Sequence, residues 1–290
     1  MYLNYDSASA TIILSLNSLN SQLKDTETQL STGNAINSAA DNPVIWAEAS
    51  AAQSRAAIWG NVANEISNVN VPEVTTATGA ITTVLSTLTA MQTTIESVQS
   101  GSTTAATALS TLTQSGLTLS TTVADATAAN GVNLLDGSTA GSTSFVEGYN
   151  ATGSVQSVSF TTQSLADSST TGLLQTAQAT TSATPTNFTT LVLGDLTTNL
   201  AATAANITKA IADVTSYSSS LGDMSSSETT MQTFAQTMQS NLQNSGDDLI
   251  GANLSNLSAR ETALQTQIQL ATQALSISYQ SSQLVLKLFQ

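Results

Sequence analysis

The chain has no histidine and no cysteine, and only five of its 290 residues are lysine or arginine. Without imidazole or thiol there is no Ser–His triad, no cysteine nucleophile and no thiolate or imidazole metal site. Only carboxylates remain for acid–base work, so no catalytic, cofactor or metal site is expected. The five cations (Lys24, Arg55, Lys209, Arg260 and Lys287) are scattered and form no basic patch. That disfavours nucleic acid and an anionic membrane surface as partners. The start, "MYLNYDSASA", lacks the basic segment of a secretory signal, and no apolar run approaches the ~20 residues of a spanning helix, so membrane insertion is not expected. A cysteine-free chain also suits export in an unfolded state.

Charge is scarce too: 8% of residues carry it, yet the net charge is −14. Serine and threonine, roughly three residues in ten, must solvate the surface instead. Against this polar background the apolar residues keep a strict rhythm. Ile12, Leu16, Leu19, Leu23, Thr26 and Leu30 recur at alternating steps of four and three, as do Ile45, Ala49, Ala52, Ala56, Trp59, Ala63 and Ile66. The same steps run from Ile81 to Val98 and from Ala105 to Ala126. They return from Leu200 to Leu242, and again through Ile250, Leu254, Leu257, Leu264, Ile268, Ala271 and Leu275. One narrow stripe per helix is seam geometry, and with few aromatics it predicts long bundled helices. Neither terminal stripe can bury itself alone, so the run 12–30 is expected to pair with 250–275.

Between the helical ends, residues 137–195 lose the period. "STSFVEGYNATGSVQSVSFTT" (142–162) reads as a hairpin in which Phe145, Val146 and Tyr149 face Val155, Val158 and Phe160. Leu173-Leu174 and Leu191-Val192-Leu193 are candidates for further short strands. Asp247-Asp248, ahead of Leu249-Ile250, suits a helix N-terminus. In "QLSTGNAINSAADNP" (29–43) the rhythm stops and restarts. Gly33 fits a left-handed helix C-cap, Asn42 an N-cap and Pro43 the first helical position. Ile36 is the apolar anchor of this inter-helix connection.

These residues resemble the bacterial flagellin family. "LSTGNAINSAADN" (30–42) is similar to that family's signature, "IWAEASAAQSR" (45–55) to the start of its D1 helix and "NGVNLLDG" (130–137) to its turn out of the N-terminal D1 segment. "SARETALQTQIQLATQALSI" (258–277) resembles its C-terminal D0 helix, in the alphaproteobacterial form. The resemblance implies a mainly α fold, a long coiled-coil and helical bundle formed by paired N- and C-terminal segments with a small β-rich central insert. It implies an inner D0 coiled coil from 1–42 and 247–290, a D1 bundle from 43–136 and 196–246, and an outer insert from 137–195. The implied function is the self-assembling subunit of the flagellar filament, secreted by type III export without a cleaved signal and lying outside the cell. Its partners would be copies of itself, an export chaperone, and cap and junction proteins. The assembly interface would comprise Ile12, Leu16, Leu19, Leu23, Leu30, Ile45, Trp59, Ile66, Leu254, Leu257, Leu264, Ile268, Leu275, Leu284, Leu288 and Phe289. Gly33, Ile36, Asn42 and Pro43 would form the spoke.

Two departures from the family pattern carry consequences. Gln29 and Ala35 stand where the family has arginines, so hydrogen bonds and packing must hold the spoke. Pro72 falls within a continuous family helix and is expected to kink or break it. The alternatives are a hook–filament junction protein, or a surface adhesin acting through the central insert.

Overall fold

The computed structural model describes residues 3–137, 141–150, 154–165, 188 and 191–288. Its elements run α1 (Leu3–Thr32), α2 (Pro43–Glu65), a π-helical turn (Ile66–Asn70), α3 (Val71–Gln99), α4 (Ala105–Asp125), β1 (Thr143–Tyr149), β2 (Val155–Phe160), α5 (Leu193–Thr197), α6 (Leu200–Ile250) and α7 (Leu254–Leu288). They form two compact units, Met1–Ala56 with Ser240–Gln290, and Ala57–Gln239.

The second unit holds the larger core. Ile81, Val84, Leu88, Met91 and Ile95 of α3 are buried with Leu112 and Leu119 of α4 and Ile207, Val214 and Leu221 of α6. Each set keeps the three–four spacing, so one face of each helix goes inward. The stretch Pro43–Gln99 is long and apolar enough by length and composition to cross a membrane, although no unbroken apolar run occurs in it. Within the unit its apolar positions from Val74 to Ile95 are spent on the bundle core. A smaller cluster joins Val62, Ala63 and Ile66 to Ala235, with Trp59 and Met231 packed on it. Here α2 and α6 run close: a Cβ added at Gly60 would lie 2.8 Å from Gln239 Nε2.

The helices are rich in a residue that lowers helix propensity, and their hydroxyls show how this is tolerated. Thr78, Thr82 and Thr93 each donate to the carbonyl four residues back, as do Thr229, Thr233 and Thr237. A hydroxyl bonded this way stays within the helix rather than competing for an alternative backbone conformation. Packing of the apolar face then supplies most of the stability.

Three sequence expectations are corrected. Pro72 does not break its helix, although the regular α-helix is interrupted just before it, where a kink or break is expected. The preceding residues Ile66–Asn70 form a π turn, whose extra residue loosens the backbone before the proline, and α3 continues with Pro72 in its first turn. Leu191-Val192-Leu193 is not a strand: Val192 precedes the short α5, with its N–H bonded to Asp195 Oδ2 at 2.9 Å. Asp247-Asp248 sits in the last turn of α6, not at a helix start. Carboxylates there oppose the helix dipole, and their exposure to water limits the cost. Leu173-Leu174 lies outside the described residues.

The hairpin forms, and Phe145 faces Val158 and Tyr149 faces Val155 as expected, but Val146 pairs with Ser157 and Phe160 with Thr143, and a bulge falls between Val146 and Gly148. Its inner face belongs to the bundle core. Phe145 is buried and meets Phe160 edge-on at 6.3 Å, and Phe160 stacks on Tyr217 at 6.1 Å. Tyr217 donates its hydroxyl to Leu134 O at 2.9 Å. Burial pushes its pKa up to about 12. At Gly148 the strand passes so close to Trp59 that an added Cβ would meet the indole at 3.2 Å.

Candidate assembly site

In the unit Met1–Ala56 with Ser240–Gln290, α1 packs along α7. The pair is antiparallel and pinned near both ends. Asn34 forms a β-bridge with Gly251, and Ser9 Oγ lies 3.1 Å from Ser278 Oγ. Equal steps from Ser9–Ser278 set Ile12 against Leu275, Leu16 against Ala271, Leu19 against Ile268 and Leu23 against Leu264. The two stripes therefore run antiparallel along one another.

The pair covers its seam only in part. Ile12, Leu16, Leu19, Leu23 and Leu30 are half-buried, as are Leu257, Ile268 and Leu275. Leu264 alone among these is fully enclosed, at 4% exposure. Leu254, in the first turn of α7, stays 49% exposed and does not join the seam. Leu284 and Leu288 belong to α7, but their side chains, and the whole of Phe289, lie outside the described set. Other apolar side chains point away from the seam, Leu14 on the outer face of α1 at 70% exposure, and Leu270 and Ile277 on the outer face of α7 at 59% and 66%. Two helices cannot cover more than one face of each other, so these outer faces stay uncovered among the described residues.

The connection 33–42 is ordered by hydrogen bonds. Gly33 adopts φ 75° and donates to Gln29 O at 2.9 Å, closing α1 with a left-handed residue that a side chain would strain. Gln29 Nε2 donates to Ala35 O at 2.8 Å, so the two positions that depart from the family's arginines bond directly to each other. Ala35 and Ile36 donate their N–H groups to Ile250 O, and Ala252 N donates to Gly33 O, tying this connection to the one between α6 and α7. Ile36 is half-buried. Asn42 Oδ1 accepts from Val44 N and Ile45 N, both at 3.2 Å, and Pro43 takes the first helical position. Replacing Asn42 with alanine removes this cap. The expected loss is about 1 kcal/mol, read as a lower denaturation midpoint than that of Asn42→Ser. Equal midpoints for the two variants would refute the cap's contribution.

Asp41 holds the centre of the loop. Its Oδ2 accepts from Asn37 N and Ser38 N, both at 2.9 Å, and from Ser38 Oγ at 3.2 Å. The Asn37 amide is the main cause of a carboxyl pKa below the ordinary value, with the Ser38 amide and hydroxyl adding to it. Sequence pattern alone gives Asp41 no role, yet aspartate is one of the residues whose carboxylate accepts from backbone amides three and four residues back. Two other predicted residues lie elsewhere. Ile45 is half-buried in the unit with α1 and α7, whereas Trp59 and Ile66 belong to the unit Ala57–Gln239. There Trp59 packs edge-on to Phe234 at 5.4 Å, and Ile66 is fully buried. Close approach of α2 and α6 recurs in the first unit, where a Cβ on Gly246 would lie 3.1 Å from Gln53 Cγ.

Paired terminal helices with a half-covered seam define a helical protein built on its two ends. Comparison with known proteins gives the same ends a family. The description "Bacterial flagellin N-terminal helical region" matches residues 3–140, and "Bacterial flagellin C-terminal helical region" matches residues 204–289. Flagellin FljO of Caulobacter vibrioides is 30% identical over 303 residues, covering 99% of this chain and 98% of that protein. A flagellin of Brucella melitensis biotype 1 is 26% identical over 290 residues, covering 98% of each. Flagellin A of Rhizobium meliloti is 40% identical over 92 residues, 32% of this chain and 23% of that protein. The chain belongs to the bacterial flagellin family. It is a structural subunit of the flagellar filament, an extracellular polymer of such chains.

Proposed function

We propose that polymerisation runs through the paired ends, with residues 1–42 and 247–290 as the inner layer, 43–136 and 196–246 as the middle layer and 137–195 outermost. The observation that carries this is the exposed apolar residues on both outer faces of the pair, Leu14 on α1 and Leu270 and Ile277 on α7, beside a half-buried seam. Neighbouring copies would cover both, gaining ~25 cal/mol for each Å² of apolar surface removed from water. The stripe residues Ile12 to Leu30 and Leu257 to Leu275 would then serve twice, within the chain and between chains. Gly33, Ile36, Asn42 and Pro43 would hold the spoke between layers, and the end Leu284 to Phe289 would be covered by an export chaperone before assembly. Export would follow the flagellar type III route, and cap and junction proteins would bound the polymer. Electron microscopy of purified chain seeded with filament fragments tests the reading. Long filaments are expected from the intact chain, and none from a variant lacking residues 1–30 and 260–290. Filaments from the truncated chain would refute it.

A further inference from the structure

The unit Ala57–Gln239 contains one cation, Lys209, and its Nζ is 2.5 Å from Asp213 Oδ2. Yet this unit encloses a carboxylate. Glu228 of α6 is 0% exposed. Its Oε2 accepts from Asn70 Nδ2 at 2.8 Å, while Oε1, also buried, has no hydrogen-bond partner among the described residues. The same Asn70 amide nitrogen donates to Val146 O at 3.1 Å. One amide group of the π turn thus holds α6 on one side and β1 on the other, beside the bulge between Val146 and Gly148.

The charged groups facing this junction are all acidic. Glu147 of β1 and Glu73 of α3 both act on Glu228 by like-charge repulsion. Glu73 is itself buried, accepts a hydrogen bond from Asn130 Nδ2, and is repelled by Glu65. An ionised Glu228 is therefore a buried negative charge with one hydrogen bond, no counter-ion and acidic neighbours. That charge is costly while the site stays closed, and the cost is relieved when water enters.

We propose that Glu228 is a proton-operated catch: when neutral it lets the Asn70 bridge hold the β1–β2 hairpin on the π turn and α6, and when ionised it favours release of the hairpin.

Desolvation first, then the repulsion of Glu147 and Glu73, outweigh the Asn70 hydrogen bond and raise the Glu228 pKa from 4.5 to about 6. A carboxyl raised in the closed state binds its proton more tightly there than in water. Its stabilisation is complete below the open-state value near 4.5 and is lost as pH rises through about 6. Between pH 5 and 7.5 the opening equilibrium should increase by roughly ten-fold.

Hydrogen exchange of the amides of 143–149 and 155–160, in the full-length monomeric chain and corrected for intrinsic rates, tests the catch. Wild-type protection is expected to fall by about ten-fold between pH 5 and 7.5. Glu228→Gln should lose this pH dependence. Glu147→Gln, at a half-buried position of β1 in the same junction, should keep it but move its midpoint to lower pH. A wild-type hairpin with pH-independent protection would overturn the proposal. So would a Glu228→Gln hairpin that responds as the wild type does, or an unmoved midpoint in Glu147→Gln.

Discussion

Leu264→Asp is expected to abolish filament formation. Leu264 is the most enclosed apolar residue of the two stripes among the described residues, and equal steps from Ser9–Ser278 place it opposite Leu23. An aspartate there forfeits the leucine's burial, about 2–5 kcal/mol for truncation alone, and adds a charge with no partner. The pair of helices should separate, with loss of helical signal in circular dichroism already in the monomer. Leu270→Asp separates the two roles of this region. Leu270 is 59% exposed in the single chain, so its replacement should leave the monomer's helicity unchanged while still preventing seeded growth. Normal filaments from Leu270→Asp would mean that the outer face of α7 is not an interface. Normal filaments from Leu264→Asp would mean that the seam does not matter for assembly.

Phe145→Ala should cost about 3–5 kcal/mol of stability. The ring is fully buried, lies edge-on to Phe160 and belongs to a cluster reaching Tyr217 and the core of α3, α4 and α6. Its removal would leave a cavity lined by groups from a strand and several helices, which cannot all collapse into it. The measurement is the chemical denaturation midpoint of the monomer, followed by tyrosine fluorescence. A loss below about 1 kcal/mol would show that the hairpin is only laid on the bundle rather than built into it.

Most of the helical architecture was legible because the chain offers few competing signals. With so little charge and aromatic bulk, the three–four spacing stands out, and the stripes from Ile12 to Leu30 and from Leu257 to Leu275 could be read as partners. The connection 33–42 was legible through chemistry specific to position: glycine at a positive φ, asparagine ahead of proline. The π turn was not, because nothing in residues 66–70 distinguishes a widened turn from an ordinary one. Glu228 and Asn70 escaped for a different reason. The stripe on α6 passes from Met224 to Met231 with a missing step, and Glu228 fills it. A polar residue at an inward position reads as an interruption of the pattern, when it is a buried hydrogen-bonded part of it. Asp247-Asp248 carries a helix-start signal that packing overrides: α6 continues to Ile250, which is buried and whose carbonyl receives the amides of Ala35 and Ile36.

The antiparallel register of α1 and α7 also has a mechanical side. Leu3 and Leu288 lie toward the same end of the pair, and Ser9–Ser278 is near that end. Tension that draws the two chain ends apart loads the seam one layer at a time, beginning with Ser9–Ser278 and moving toward Leu23–Leu264, so it peels at low force. Tension that slides one helix along the other loads every layer together and meets the whole seam at once. The same pair is thus easily opened from its ends and resistant to axial stretch.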